Sequence, residues 1–215
     1  MDFTIIGAGN MGRAISTRLL SGGNSVTLLD QDNTESDKLA AELGPAAAQG
    51  GASVRGAHMG SPLRSEAVVL AVYYHSVLSI LSLYRDQLAG KIVVDITNPL
   101  NETYDDLATP PGISAAEQFA ESLPAEASVV KAFNTTFAST LMAGEVAGQP
   151  LDVLIAGDDE PAKERLSAAL RASGLRPIDV GPLRRARQLE GLGLLHIALQ
   201  NELGTNWGST IKILP

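Results

Sequence analysis

The chain has no cysteine among its 215 residues, so neither a disulfide framework nor a thiolate metal site is available to it. That absence suits the cytoplasm, the expected location. Basic residues are in the minority, 16 Lys and Arg against 24 Asp and Glu, for a net charge of −8. The balance argues against nucleic acid or an anionic membrane as a partner. A basic n-region and a long apolar h-region are missing from the start, where Met1-Asp2 leads directly into a strand, so no signal peptide is expected. A membrane span is also lacking. The most apolar stretch, Glu66 to Tyr84, is broken by His75 and several serines and divides into a buried strand, Ala67–Val72, and an amphipathic helix from Ser76. There is no internal repeat, low-complexity tract or linker. One domain is expected, a dinucleotide-binding unit over residues 1–180 with a C-terminal helix and tail, 181–215, packed on it. No Tyr-x-x-x-Lys pair occurs, which disfavours a short-chain alcohol dehydrogenase.

What is present begins at once. Phe3–Ile6 is a short apolar, β-branched run, and Gly7, Gly9 and Gly12 follow it with G-x-G-x-x-G spacing before a helical pattern over Met11–Leu20. This is the strand, turn and helix start of a dinucleotide-binding βαβ unit. Gly7 permits the tight turn, Gly9 has no Cβ to block a pyrophosphate, and Gly12 lets helix and strand approach. Residues Gly7, Ala8, Gly9, Asn10, Met11 and Gly12 would cradle the diphosphate on free N–H groups at the positive end of the helix.

A second strand, Ser25–Leu29, ends at Asp30. There an acidic side chain accepts hydrogen bonds from the adenine ribose and repels a 2′-phosphate. Gln31 to Glu35 include no base, which favours NAD. The alternative is that Asp30 and Asp32 cap the helix Thr34–Leu43. Gly44–Ser61 reads as a loop with a third strand near Ala52–Arg55 and a solvated His58. The fourth strand opens into Val72, Tyr73, Tyr74 and His75, at the carboxyl end where open α/β sheets bind ligands. The tyrosines either flank the cofactor or cover the sheet edge, and His75 is either a proton donor or exposed.

Lys91–Asp95 is the fifth strand, and Asn98-Pro99 after it makes a stiff turn facing the nicotinamide ribose. Asn101–Ile113 is a long loop suited to a lid or a partner surface, and Ser114–Leu123 a short helix. The sixth strand, Ser128–Ala132, leads to Phe133, Asn134, Thr135 and Thr136, polar groups placed to orient a carboxamide or a substrate. Asn134 and Thr135 are the candidate catalytic residues, with Ala132 and Phe133 beside the cofactor. Lys131 is a conceivable general acid, but is expected along the strand end with its amine in solvent. Strands Leu151–Ala156 and Arg176–Val180 flank a helix over Glu160–Ser173. A long apolar helix follows Pro182 and either caps one face of the sheet or packs against a second subunit in a homodimer. In the tail Gly204–Thr210, Trp207 either closes the site or simply packs. The architecture expected is a Rossmann-type, doubly wound, mostly parallel sheet with a short C-terminal helical extension.

These residues together resemble the coenzyme F420-dependent NADP oxidoreductases, whose fold recurs in the cytosolic domain of the six-transmembrane epithelial metalloreductases. The resemblance lies in GAGNMG at Gly7–Gly12, VVLAVYYHSV at Val68–Val77, KIVVDITNPL at Lys91–Leu100, VVKAFNTT at Val129–Thr136 and LRPIDVGPL at Leu175–Leu183. It implies hydride transfer between a nicotinamide dinucleotide and a flavin or deazaflavin such as F420. It also implies NADP, although archaeal members carry a Ser-Arg pair where this chain has Asp30 and Gln31. Those members have histidine at the position of Asn134, whereas the metalloreductase-like domain shares the asparagine. Two other readings stand beside it. One is a non-catalytic NAD(P) sensor, with no room beside the nicotinamide. The other is a relative of the pyrroline-carboxylate reductases or β-hydroxyacid dehydrogenases, whose large helical domain would not fit in Gly181–Pro215.

Overall fold

The computed structural model describes residues 1–214. In chain order its elements are β1 (Asp2–Ile6), α1 (Asn10–Ser21), β2 (Ser25–Asp30), α2 (Asn33–Gln49), β3 (Val54–His58), β4 (Ala67–Leu70), α3 (Tyr74–Tyr84) and β5 (Ile92–Asp95). There follow α4 (Ala115–Glu121), β6 (Ser128–Lys131), α5 (Ala138–Ala143), β7 (Glu145–Val146), β8 (Gln149–Pro150) and β9 (Asp152–Gly157). The chain closes with α6 (Glu160–Ala172), β10 (Arg176–Asp179), α7 (Ala186–Ala198) and α8 (Gln200–Leu203).

Eight strands form one sheet in the order β10-β9-β6-β5-β4-β1-β2-β3, and β7 and β8 make a separate hairpin. From β3 across to β6 every pairing is parallel, which gives the Rossmann-type α/β fold. β4 and the first three residues of β5 are apolar because helices cover both faces, and all four residues of each strand are buried. On one face α1, α2, α5 and α6 close over Ile5, Leu28, Val69 and Val94. On the other, α3 and α4 seal Ile6, Leu29, Val68 and Val93. Each such side chain contributes about 1.5–3 kcal/mol on full burial. Three helices are started by side-chain caps: Asp32 for α2, the Ser114–Glu117 capping box for α4 and Asp159 for α6.

The structure departs from the sequence reading in three places. α2 continues through Gly44-Pro45 to Gln49, which pushes β3 later, to Val54–His58. A proline ring clashes with the Cβ of the residue before it, and Gly44 has none, so Ala46–Ala48 continue the helix. The short α5 and the β7–β8 hairpin occupy a stretch for which no element was expected. In keeping with a mostly parallel sheet, the one antiparallel seam joins β9 to β6 through Val130–Gly157 and Lys131–Ala156, while β10 is parallel to β9. Finally, the apolar stretch after Pro182 is a short 3-10 turn and then α7 and α8, with Leu189 packed on Leu154 and Ala156 of β9. Among the described residues no helix is long and apolar enough to cross a membrane.

Candidate functional site

The carboxyl ends of β1, β4, β5 and β6 meet at one rim, where the three glycines of the first turn serve different ends. Gly7 has φ +109°, and a Cβ there would lie 2.2 Å from the Ala71 carbonyl oxygen, so only glycine lets β1 turn beneath β4. A Cβ on Gly12 would lie 1.9 Å from the Gly7 carbonyl oxygen. Gly9 differs, because among the described residues a Cβ there meets nothing within 4 Å. It is the N-cap of α1 and no side chain caps that end. The first-turn N–H groups therefore face open space with the positive end of a three-turn helix behind them, which fits a diphosphate.

Asp30 braces this loop from β2. Its Oδ2 accepts from the Ala8 N–H at 2.7 Å and its Oδ1 from the Asp32 N–H at 3.0 Å. A carboxylate has about four acceptor positions, so each oxygen retains one for a ribose hydroxyl. Capping of α2 falls to Asp32, which accepts from the Thr34 N–H at 2.9 Å. Gln31 beside it is exposed.

Beyond β4 the two tyrosines part company. Tyr73 is exposed and lines the main cavity, with the exposed His75 ring stacked 5.7 Å from it and outside the lining. Tyr74 turns inward, where its hydroxyl donates to Gln118 at 2.8 Å and its ring lies against Phe119. Burial, and then the charge of Glu190, pushes its pKa up. Val72, Pro99 and Ala132 do not line the cavity.

After β6 the chain turns within three residues: the Asn134 N–H donates to the Ala132 carbonyl at 2.8 Å, and the buried Phe133 between them has φ +62°. A bulky residue in this region costs of order 1–3 kcal/mol and persists only where its surroundings over-determine it. Here they do. Asn98 Nδ2 donates to the Asn134 carbonyl at 2.8 Å, and Asn134 Nδ2 donates to Asn98 Oδ1 at 2.9 Å and to the Leu189 carbonyl at 2.8 Å. Asn134 Oδ1 is buried with no partner. α7 reaches this close because residue 193 is glycine; a Cβ there would sit 2.4 Å from Asn98 Oδ1. Thr135 is buried outside the cavity lining, and its carbonyl lies 3.3 Å from His196 Nδ1.

Lys131 corrects the sequence reading. Its side chain is 0% exposed, and its ammonium donates to Asp95 at 2.7 Å, to Glu190 at 2.8 Å and to the Thr97 carbonyl at 2.6 Å. Burial pulls its pKa down, but the two carboxylates outweigh that and the ammonium stays charged. Glu190 also accepts from the N–H of Ala115 at 3.0 Å, and its burial raises its own pKa against the pull of Lys131. The apolar neighbours Val129, Val130, Ala132 and Phe133 carried the signal for burial. Lys131 does not line the cavity.

The cavity itself has a volume of about 680 Å³, within the roughly 300–1,000 Å³ typical of ligand sites. Asn10, Met11 and Arg13 of α1 line one side, and Asn98, Phe133 and Asn134 the base. Tyr73, Tyr104, Phe137 and Trp207 stand around the rest, with Met142 and Ile197. Arg13 is drawn toward Glu42 of α2 by an ion pair. Among the described residues no carboxylate, histidine or lysine lines the cavity. Phe137, Met142, Ile197 and Tyr104 were not singled out from sequence. Phe137 stands directly after the Asn134–Thr136 group and could have been found by extending that motif.

The family model described as NADP oxidoreductase, coenzyme F420-dependent, matches residues 2–99. The chain is 30% identical to the F420-dependent NADP reductase of Methanothermobacter thermautotrophicus, over 100% of this chain and 96% of that protein. It is 37% identical to the metalloreductase STEAP3 of Rattus norvegicus over 88% of this chain, but spans only 36% of that protein's length. A crystal structure of a candidate F420-dependent NADP-reductase from Arthrobacter sp. FB24 superposes with a TM-score of 0.83 at 30% identity, covering 99% of each chain.

Proposed function

The chain belongs to the family of F420-dependent NADP reductases, and on that footing we propose that it transfers a hydride between a nicotinamide dinucleotide and a flavin or deazaflavin acceptor. One observation carries the reading: a cavity of about 680 Å³ joins the uncapped start of α1 to an aromatic wall, and no carboxylate, histidine or lysine lines it among the described residues. Such a lining, with the Tyr73 and Tyr104 hydroxyls as its proton donors beside Arg13, suits two stacked rings, because an acceptor ring delocalises the arriving charge itself. A reduced dinucleotide held here would supply a hydride from nicotinamide C4 to the acceptor ring, whose accompanying proton would come from solvent outside the closed site.

The residues of this chain bind, orient and exclude water. The N–H groups at Gly9–Met11 hold the diphosphate, and Asp30 takes the adenine ribose. Asn98 and Asn134 present amide groups at the base, beside the reacting ring. Phe133, Phe137 and Ile197 keep water from the rings. The size of the cavity supports an enzyme over a sensor, which needs no space beside the nicotinamide.

Kinship points to NADP(H), while Asp30, Asp32 and the lack of any base from Asp30 to Glu35 favour NAD(H), so the site should take NAD(H) at least as well as NADP(H). A turnover screen crossing NADH and NADPH with FMN, FAD and F420 tests both statements. Turnover with at least one pair, and NADH as good as NADPH, is the expected result. No turnover with any pair sinks hydride transfer, and a strong NADPH preference sinks the role given to Asp30.

A further inference from the structure

The wall of the cavity farthest along the chain from the glycine loop is Trp207, the single tryptophan of the protein. It lies in the tail after α8, yet it is not loosely placed. Its carbonyl accepts from the Ser139 hydroxyl at 2.6 Å. Its indole meets Phe137 edge to face at 5.0 Å between centroids, and Phe137 lies 4.3 Å from the ring of the buried His196. Beyond Trp207 the tail is fastened again. Ser209 sits 2.9 Å from His196 Nε2, and the Ile213 N–H donates to Asp152 at 2.9 Å, with Lys212 paired to the same carboxylate.

The backbone at this point is unusual. Asn206 and Trp207 have φ of +49° and +62°, two successive left-handed residues of which neither is glycine. Strain of this kind is kept where the surroundings insist on a particular placement, and it gathers at ligand sites. What the placement achieves is visible: Trp207 remains 47% exposed although several contacts hold it. The edge-to-face pair with Phe137 covers at most one face of the indole, and the 47% exposure leaves part of the ring open beside the cavity it lines. A tail that merely packed would bury its largest side chain.

We propose that Trp207 is the surface on which the tricyclic ring of the electron acceptor stacks, and that it thereby selects planar heteroaromatic acceptors over small aliphatic ones. The inference rests on the hydride-transfer reading and adds to it the residue that determines acceptor specificity. Stacking on an aromatic side chain tolerates any ring with an extended π-face, so flavin and deazaflavin share the required chemistry.

The solitary indole provides its own probe. Tryptophan emission is followed during separate titrations with FMN and with F420, each at saturating NADP+ and corrected for absorption by the titrant. Saturable loss of more than half of the emission is expected for at least one of them, with NADP+ alone leaving most of it. The arm that quenches identifies the ring. In steady-state assays Trp207→Ala should raise the acceptor KM about tenfold and Trp207→Phe only a few-fold, both with the dinucleotide KM unchanged. An unchanged acceptor KM in folded Trp207→Ala overturns the proposal, as do equal increases in both KM values. Should the alanine variant not fold, an acceptor KM unchanged in Trp207→Phe together with absent quenching in the native protein overturns it. Quenching without turnover keeps the stacking surface and removes hydride transfer. Turnover without quenching does the reverse, and the absence of both removes the two together.

Discussion

Lys131 and Glu190, 59 residues apart in sequence, form an ion pair of 2.8 Å in which neither side chain has any exposure. The pair ties the end of β6 to α7, one residue from the Leu189 carbonyl that Asn134 holds. Lys131→Met would leave Asp95 and Glu190 buried without their cation. Loss of one partner from a buried pair costs about 3–5 kcal/mol, and urea unfolding should show a loss of this order. Glu190→Gln should cost less, since Lys131 keeps Asp95.

The glycines of the first turn separate by consequence. Gly12→Ala forces a Cβ to 1.9 Å from a backbone oxygen and should lower Tm sharply or prevent folding. Gly9→Val places its side chain in open space, so Tm should hold while dinucleotide binding disappears, as read by calorimetric titration. Unchanged affinity in folded Gly9→Val would refute the diphosphate site.

Asn134→Ala removes an amide from the base of the cavity and the bonds to Asn98 and Leu189. Turnover should fall by about tenfold or more, on the order of 1.4 kcal/mol in the barrier, with a smaller change in dinucleotide Kd. Equal loss in both would assign Asn134 to structure alone.

The charged anchor of the tail dictates behaviour in acid. Burial pushes Asp152 up, but Arg176, Lys212 and the Ile213 N–H outweigh it and hold its carboxyl at about 2. The Arg187 guanidinium holds Glu117 at about 2 as well. Both values are depressed on folding, so the unfolded chain binds more protons as pH falls through the ordinary carboxylate range. Stability from these groups is complete above about pH 4.5 and is lost between there and about 2. Asp152→Asn should flatten that part of the stability curve and raise the proteolytic sensitivity of residues 204–214.

The first βα unit was legible because its evidence is local: a strand, three glycines and a helix start within a dozen residues. Asp30 was legible in position, and its bond to Ala8 was not, since that joins strand end to loop across the sheet. Lys131 was misplaced because its partners stand 36 and 59 residues away, and nothing adjacent in sequence announces an ion pair. α5 has only six residues, too few for a 3.6-residue period to register, so the wall that it gives the cavity went unseen. The tail could be read two ways, and which side of Trp207 meets the cavity is a matter of tertiary placement.

The antiparallel seam between β6 and β9 has a consequence for how the molecule opens. Only two residue pairs join the strands there, so the ladder contributes little cohesion, and the halves are held by the apolar core that α1 and β1 share with α6 and β9, together with Lys131–Glu190 and Asn134–Leu189. The glycine loop lies in one half, and the tail bearing Trp207 hangs from β9 in the other. Sub-global opening along this line would release the Trp207 wall of the cavity while leaving the glycine loop folded. In native-state hydrogen exchange the amides of β9 and β10 should exchange as a group ahead of those in β1, β4 and β5, and a bound acceptor should slow the first set more than the second.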